Sequence, residues 1–426
     1  MQSEMTNETK KRLWLTPWGY PESILVILAM VLAGYALQIS LSNVDFNYLS
    51  WPVNGIVGGI LILLILILAI PLGTKKAVLW FSGVTFSVSL LGVLLALTII
   101  MGLTPQVKVS EAVPHDIATV LGLNTMTSSW PFVLLYITLL LSLGVLVVRF
   151  MIPFRWNKYA FYLNHLALWL VLFTTGFGAA DLRRYVMYVQ IKDDNPEWRV
   201  YNEKNEVLEL PIAIYLNEFI LEQYDTKLTI IDSKTGESLP VSLPAFLQLD
   251  STRPKGELLE WKVEVLSYLS EAVRGRNDEY QQVPMPGSAP AAKVKITNKI
   301  TNHSQTAWVS CGSFAQLYRT IDLDSTRSLV MTAPEPKRFA SNVIVYSESS
   351  EKPDTATIEV NKPFERDGWM IYQYSYEEQM GKASPYSSFE LVYDPWKKYV
   401  FASFLLLAIG SIALIWQLKK RKDNSL

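Results

Sequence analysis

The sequence has few of the residues from which metal and redox sites are built. It contains one cysteine, Cys311, and three histidines, His115, His165 and His303, in 426 residues. A single cysteine excludes an internal disulfide bond and any Cys-x-x-Cys motif, and three histidines are too few for a histidine-rich metal cage. Charged residues make up only 18% of the chain, against about 25% in an average soluble protein. The formal net charge is -1, so the chain lacks the basic excess that a nucleic-acid partner requires.

Apolar residues form half of the sequence and are concentrated in six runs. A helix needs about 20 consecutive apolar residues to cross the hydrocarbon core of a bilayer. The runs that reach or approach this length cover residues 23–40, 55–72, 78–101, 131–148, 159–180 and 399–418. The first run follows a polar segment and lacks a small-residue cleavage pattern, so we expect the mature protein to retain it. The sequence therefore predicts an integral membrane α-helical bundle with about six transmembrane helices.

Lysine and arginine residues near the ends of the runs predict the orientation of the chain. One set of flanks carries twelve cations: Lys10, Lys11, Arg12, Lys75, Lys76, Arg149, Arg155, Lys158, Lys419, Lys420, Arg421 and Lys422. The two short opposite loops carry only Lys108. Because cationic loops stay on the cytoplasmic side, both termini are expected in the cytoplasm.

The polar segment between the fifth and sixth runs is expected outside the membrane, on the side opposite the termini. It contains short alternating pieces such as "KLTIID", "WKVEVLSYL", "AKVKITN", "NVIVYS", "TATIEV", "WMIYQYSY" and "SSFELVY". Alternation of this kind predicts half-buried antiparallel strands, which at this number favour a sandwich or a distorted barrel. The stretch 277–293 is predicted to be a long mobile loop.

These patterns divide the chain into five parts, with the β domain inserted before the last helix. We predict a cytoplasmic segment 1–22, a membrane domain 23–180 with five transmembrane helices, an external β-rich domain 181–395, a transmembrane helix 396–418 and a basic cytoplasmic tail 419–426.

Four stretches resemble the ResB/CcsB family, the membrane subunit of System II cytochrome c biogenesis. They are "FYLNHLALWLVLFTTGFGAADLRRYVMYV", "LPIAIYLNEFILEQYD", "VNKPFERDGWMIYQYSYE" and "FELVYDPWKKYVFASFLLLAIG". The resemblance includes an aromatic-x-x-x-His pattern, Phe161 to His165, and a tyrosine-rich strand that leads through Asp-Pro into the last helix.

The resemblance implies a subunit that works with a CcsA/ResC-like membrane partner. Together the two subunits would move heme b outward and attach it to apocytochrome c, and the external β domain would hold apocytochrome or support the partner. The present chain departs from the four-helix plan of the family by an additional apolar hairpin at 55–101. It also lacks the tryptophan-rich heme-handling motif of the partner, so we expect an accessory subunit of a cytochrome c synthase complex and no attachment activity of its own.

His165 is the principal candidate site residue, because polar residues inside a membrane helix are functional candidates. It lies about 10 Å along the predicted helix, in the cytoplasmic half, and Phe161, Tyr162, Leu168 and Trp169 share its face. With the resemblance, this aromatic face predicts an axial histidine ligand to heme iron, with a second axial ligand from the partner. The alternative is a histidine that forms a hydrogen bond between helices.

The other candidates have simpler interpretations. Arg183 and Arg184 could contact the heme propionates, but Asp181 beside them favours a structural role. His115 is interpreted as a loop residue, His303 as part of a turn between strands, and Cys311 as a small apolar residue on a strand.

The sequence also allows two functions of other classes. One is a small-molecule transporter in the membrane, although the runs contain few charges and no pair of broken helices. The other is a membrane-anchored binding or sensor module without heme. For the preferred function, the expected location is a bacterial inner membrane, with the β domain in the periplasm.

Overall fold

The computed structural model describes residues 16–109, 113, 116–249 and 255–423, and the chain forms two compact units. One unit, made of Met1–Arg183 and Asp394–Leu426, is helical, and the other, Arg184–Tyr393, is all-β. The prediction of a helical region with a large β domain before the last helix is confirmed at this level.

The described part of the helical unit contains eight α-helices. They are α1 Tyr20–Leu41, α2 Val53–Ala69, α3 Lys76–Phe81, α4 Val84–Leu103, α5 Ile117–Val120, α6 Trp130–Met151, α7 Tyr159–Gly178 and α8 Lys397–Asp423. Five of them, α1, α4, α6, α7 and α8, are long and apolar enough to cross a membrane. The 17 residues of α2 give it a length of about 26 Å, at the lower limit of the roughly 17–25 residues with which a transmembrane helix crosses a bilayer.

The apolar run 78–101 contains a helix of membrane-spanning length, but this helix begins at Val84, because the chain breaks between α3 and α4. The break falls at Ser82 and Gly83, where Gly83 is extended with φ -98° and ψ 167°. A Cβ atom on Gly83 would lie 2.8 Å from the carbonyl oxygen of Leu79, so a glycine allows the chain to turn this closely. Hydropathy does not reveal such a break, because the residues on both sides of it are apolar.

The helix α6 is the centre of the helical unit and packs against α1, α2, α4 and α7. With α1 and α4 it encloses one apolar cluster, which includes Ile27, Phe86 and Leu135. With α2 and α7 it encloses a second cluster around Leu61 and Val145. The last helix, α8, packs against α7.

The all-β unit has seventeen strands among its described residues. They are β1 Arg183–Gln190, β2 Glu197–Tyr201, β3 Val207–Gln223, β4 Lys227–Asp232, β5 Phe246–Gln248, β6 Lys255–Leu258, β7 Trp261–Arg274, β8 Tyr280–Gln282, β9 Ala289–Asn298, β10 Ser304–Ser310, β11 Ile321–Asp322, β12 Arg327–Met331, β13 Pro336–Ser347, β14 Ser350–Glu359, β15 Phe364–Arg366, β16 Trp369–Tyr376 and β17 Tyr386–Tyr393.

Eight of these strands form one sheet in the order β14-β13-β3-β2-β1-β17-β16-β15. Alternate residues of its strands, such as Ile214, Val343 and Phe389, form an apolar core on one face. The sheet curls around this core, because β14 lies close to β15 and β16 at the opposite end of the strand order. Arg366 of β15 forms an ion pair with Asp354 of β14.

The remaining strands form two sheets that share a second core. One has the order β10-β9-β7-β6, with β8 beside β7, and the other has the order β11-β12-β4-β5. Leu228 from one sheet and Val263 and Val294 from the other are buried in the same cluster, so this part is a sandwich. The seven quoted alternating pieces lie on strands, apart from the last residue of "TATIEV", and "KLTIID" and "WMIYQYSY" coincide with β4 and β16.

The predicted loop 277–293 is correct only in part, since it contains β8 and the beginning of β9. Tyr280 of β8 is buried, and its ring centroid lies 5.3 Å from that of Trp308. This tertiary contact orders a stretch whose prolines and glycine suggested a loop.

Candidate functional site

His165 lies on α7, and its side chain is half-buried. Its Nδ1 atom is 3.0 Å from the carbonyl oxygen of Phe161, four residues earlier. A carbonyl oxygen only accepts hydrogen bonds, so Nδ1 carries the proton and donates it. The second nitrogen, Nε2, forms no hydrogen bond with any residue in the described part of the chain. It therefore presents a lone pair, as a neutral imidazole does when it binds a metal.

The three aromatic residues predicted around His165 take different positions. The ring of Phe161 lies against the imidazole, with a centroid distance of 3.9 Å. Tyr162 is buried against Phe154, and its hydroxyl oxygen accepts the N–H of Arg155 at 3.3 Å.

Trp169 packs toward α6. Its Nε1 donates to the carbonyl oxygen of Leu140 at 2.9 Å, and its ring stacks on Phe173 at 4.9 Å. A Cβ atom on Gly144 would lie 2.8 Å from this Nε1, so the indole occupies space that a glycine leaves open. Of the three aromatic side chains, the structure thus places Phe161 in contact with the imidazole.

The residue before His165 fixes α7 to α8. The amide of Asn164 donates to the hydroxyl oxygen of Ser411 at 2.8 Å. Beside it, a Cβ atom on Gly410 would lie 2.8 Å from the Cα of Asn164, so the two helices approach each other closely here. Sequence analysis missed this pair, although a polar residue beside a small one in an apolar run is typical of helix contacts in membranes.

Asp181 joins three segments at the end of α7. Its carboxylate accepts the N–H of Trp51, the side-chain amide of Asn54 and the indole N–H of Trp396, each at 2.7 Å. Asn54 is only 1% exposed, so its amide depends on this partner and on the carbonyl oxygen of Phe177 at 3.2 Å. The sequence suggested that Asp181 neutralises a neighbouring arginine. In the structure, the hydrogen-bond donors to Asp181 are uncharged groups.

The side chains of Arg183 and Arg184 are exposed. Arg184 lies 3.7 Å from Glu390 of β17, and their side chains are 56% and 28% exposed. A long, exposed ion pair of this kind contributes little to stability, so both guanidinium groups remain accessible to an anion.

The all-β unit contains a cleft of about 1000 Å³ between its sheets. Residues of several strands and loops line it, among them Tyr268, Met285, Cys311, Phe314, Lys337 and Met380. Burial raises the pKa of the Cys311 thiol to about 11. The thiol therefore stays protonated near neutral pH and is a poor nucleophile.

Three further residues were candidates from the sequence: Cys311, His303 and His115. Cys311 follows the end of β10 and packs against the sandwich core. His303 is exposed in the turn between β9 and β10, as predicted. His115 lies outside the described residues.

No group of three or more histidine, cysteine, aspartate or glutamate residues that could hold a metal ion occurs within 16–109, 113, 116–249 and 255–423.

Residues 300–384 match the ResB-like family. The matched segment lies within the all-β unit and contains the stretch "VNKPFERDGWMIYQYSYE". It also contributes Cys311, Phe314 and Met380 to the cleft. No curated protein matches this chain.

The match confirms the resemblance to the ResB/CcsB family. It suggests a role in cytochrome c biogenesis in general. The apolar helices fit a membrane protein.

Proposed function

We propose that this chain is a subunit of a cytochrome c biogenesis complex that handles heme across the membrane together with a CcsA/ResC-like partner. The observation that carries the proposal is the state of His165, whose Nδ1 donates to Phe161 and whose Nε2 is left with a lone pair. Iron in heme binds neutral imidazole through such a nitrogen. The family match supports the same process.

In this proposal heme b is the cargo of the chain, bound transiently. His165 supplies one axial ligand, and Phe161 supports the imidazole with its ring at 3.9 Å. Because the six-coordinate iron needs two axial ligands, the second comes from the partner subunit. Arg183 and Arg184, exposed beyond the end of α7, are proposed contacts for the propionates, and Tyr162 and Trp169 support α7 through their packing.

The proposed role of the all-β unit is to hold apocytochrome c or to support the partner subunit. Its cleft has the size of a site for an extended segment, and its lining combines aromatic and methionine side chains with charged ones. Methionine side chains adapt to varied partners. The chain is therefore proposed as an accessory subunit that does not form the covalent bonds itself.

The proposed location is a bacterial inner membrane, with both termini in the cytoplasm and the all-β unit in the periplasm. The twelve cations at one set of helix flanks support this orientation. The described helices that are long and apolar enough to cross a bilayer support the membrane assignment.

The test is the heme content of the complex purified with its partner. We expect His165→Ala to lower the Soret absorbance per complex and to stop maturation of a reporter cytochrome c, with unchanged membrane insertion. Added imidazole should restore part of the heme content, because it can bind iron in the vacated space. His303→Ala, which removes an exposed histidine of the all-β unit, is the matched control and should have no effect.

Normal heme content and normal maturation in His165→Ala would contradict the proposal. Function in His165→Gln together with loss of folding in His165→Ala would instead indicate a structural histidine. A separate test expresses the chain without any CcsA-like protein, and maturation of the reporter there would contradict the need for a partner.

A further inference from the structure

A second cavity lies in the helical unit, where α1, α3 and α4 begin. Its volume is about 420 Å³, and the residues that line it include Thr16, Trp18, Lys76, Leu79, Trp80 and Thr85. This volume is within the range of sites for small ligands. The cavity shares no lining residue with the surroundings of His165, so an inference from it does not depend on heme handling.

The aromatic wall of the cavity is held in place by its neighbours. The rings of Trp18 and Trp80 meet edge to face, with centroids 5.2 Å apart, and Trp80 meets Phe86 in the same way at 4.9 Å. The Nε1 of Trp80 donates to the hydroxyl oxygen of Ser23 at 3.0 Å. Because these contacts fix Trp80, the wall exists before any ligand binds.

The cavity is lined on one side by a cationic side chain, that of Lys76. The Nζ atom of Lys76 is 3.4 Å from the hydroxyl oxygen of Thr16, across the cavity edge. Lys76 forms no ion pair with any carboxylate in the described ranges of the chain. Glu22, the acidic residue in the first turn of α1, does not line the cavity and accepts the N–H of Gly19 at 2.8 Å. The charge of Lys76 is therefore available to an anion.

The cavity lies where apolar helices begin. The span Tyr20–Leu41 starts two residues after Trp18, and the span Val84–Leu103 includes the lining residue Thr85 in its first turn. Leu79, which lines the cavity, and Val84 are 43% and 72% exposed. The ends of membrane helices lie at the level of the lipid headgroups, where tryptophan is enriched. Lysine near this level is attracted to anionic lipids.

We propose that this cavity binds the phosphodiester headgroup of an anionic phospholipid. Lys76 Nζ and the Thr16 hydroxyl donate to the phosphate oxygens, and Trp18 and Trp80 enclose the glycerol region. The acyl chains run along the exposed apolar side chains of Leu79 and Val84. A zwitterionic lipid carries its own cation on the headgroup, so the charge of Lys76 favours the anionic class.

The chain offers a matched control for this site. Lys75 is the neighbouring residue, is also exposed and carries the same charge, but it does not line the cavity. A lipid that is attracted only by the charge of the surface would depend on both lysines equally. A lipid held in the cavity depends on Lys76.

The experiment uses the purified full-length chain in phosphatidylcholine nanodiscs with increasing fractions of phosphatidylglycerol. Native mass spectrometry counts the lipid molecules that remain bound to the protein after the protein is released from the nanodisc. We expect one retained phosphatidylglycerol, with binding about tenfold weaker in Lys76→Gln, which loses a charged hydrogen bond. Thr16→Val should weaken binding less, and Lys75→Gln should leave it unchanged.

Three outcomes would overturn the proposal. Equal losses in Lys75→Gln and Lys76→Gln would show attraction by surface charge alone. Equal retention of phosphatidylcholine would show that the cavity does not select an anionic lipid. Complete displacement of the lipid by excess inorganic phosphate would show a site for free phosphate in place of a lipid headgroup.

Discussion

The Nδ1 of His165 donates to the carbonyl oxygen of Phe161 across 3.0 Å, one helical turn earlier in α7. In a regular α-helix the same oxygen also accepts the backbone N–H of the residue four positions later. The acceptor that orients the imidazole is therefore part of the helix that carries it. The direction of Nε2 is set by α7 itself, without a residue from another helix.

The ring of Phe161 should matter for iron binding apart from its carbonyl group. In Phe161→Ala the carbonyl oxygen remains, but the imidazole loses the ring at 3.9 Å. We expect heme occupancy of the purified complex to fall about tenfold, as for other residues that orient a metal ligand. Tyr159→Ala, which removes an exposed aromatic ring of the same helix that does not share the face of His165, is the control. An equal loss of Soret absorbance in both variants would argue against a specific contact.

Asp181→Asn should lower the stability of the helical unit. The asparagine has one carbonyl oxygen where Asp181 has two acceptor oxygens, and these accept from Trp51, Asn54 and Trp396. A buried donor left without a partner costs about 1–3 kcal/mol. We expect a lower thermal unfolding midpoint in detergent.

The control for Asp181 is Asp45→Asn. Asp45 accepts one exposed backbone N–H, that of Asn47 at 2.9 Å, and an asparagine oxygen can accept it as well. Equal midpoints for wild type and Asp181→Asn would show that the three hydrogen bonds do not hold the segments together.

Cys311 should react slowly with maleimides, because a thiol with a pKa of about 11 is almost entirely protonated at neutral pH. An introduced thiol at the exposed turn residue Lys234 can therefore be labelled over a low background. In intact spheroplasts, we expect Lys234→Cys to react with a membrane-impermeant reagent. Its protection there, with reaction after lysis, would place the all-β unit in the cytoplasm.

An isolated fragment of residues 184–393 should be soluble, rich in β structure and sensitive to acid. The guanidinium of Arg338 lowers the pKa of Glu359 from 4.5 to about 2, and hydrogen bonds from Thr326 lower that of Asp324 from 3.8 to about 2. Lowered pKa values mean that the ionised carboxylates stabilise the fold. This stabilisation is complete above about pH 4.5 and is lost as the pH falls toward 2.

The measurement is the urea midpoint for unfolding of the fragment at several pH values between 6 and 2, with unfolding monitored by circular dichroism. Glu359→Gln should reduce the dependence of the midpoint on pH, and Glu237→Gln, at an exposed turn position, should leave it unchanged. A mainly helical spectrum, or a midpoint that rises toward pH 2, would contradict the prediction.

Much of the fold could be predicted because burial on one face leaves a periodic trace in the sequence. The strand β16 carries large side chains on alternate positions, with Trp369 and Ile371 in the core, and its bounds follow directly from the letters. Long apolar runs predicted the helices in the same way. The break at Gly83 could not be seen, because a backbone turn within apolar residues changes no hydropathy.

The contacts of the candidate site were less predictable, since they join distant parts of the chain. Asp181 has partners 130 and 215 positions away, and the nearby arginines suggested a local ion pair. Helical spacing predicted Trp169 on the same face as His165. In the structure, the indole Nε1 of Trp169 donates to the carbonyl oxygen of Leu140 on α6. A buried indole N–H requires a partner, and spacing alone does not identify it.

The first and last strands of the all-β unit, β1 and β17, are neighbours in its eight-stranded sheet. Residue 191 at the end of β1 donates its N–H to the carbonyl oxygen of Pro385 before β17, so the strands run in opposite directions. The first and last residues of the all-β unit therefore lie close together, while α7 and α8 pack as neighbours in the helical unit. A domain whose two ends lie close together can be inserted into a chain, or removed from it, with little change to the surrounding structure. A short glycine-rich bridge could replace it without separating α7 from α8, and it could be transplanted as a whole into another helical hairpin.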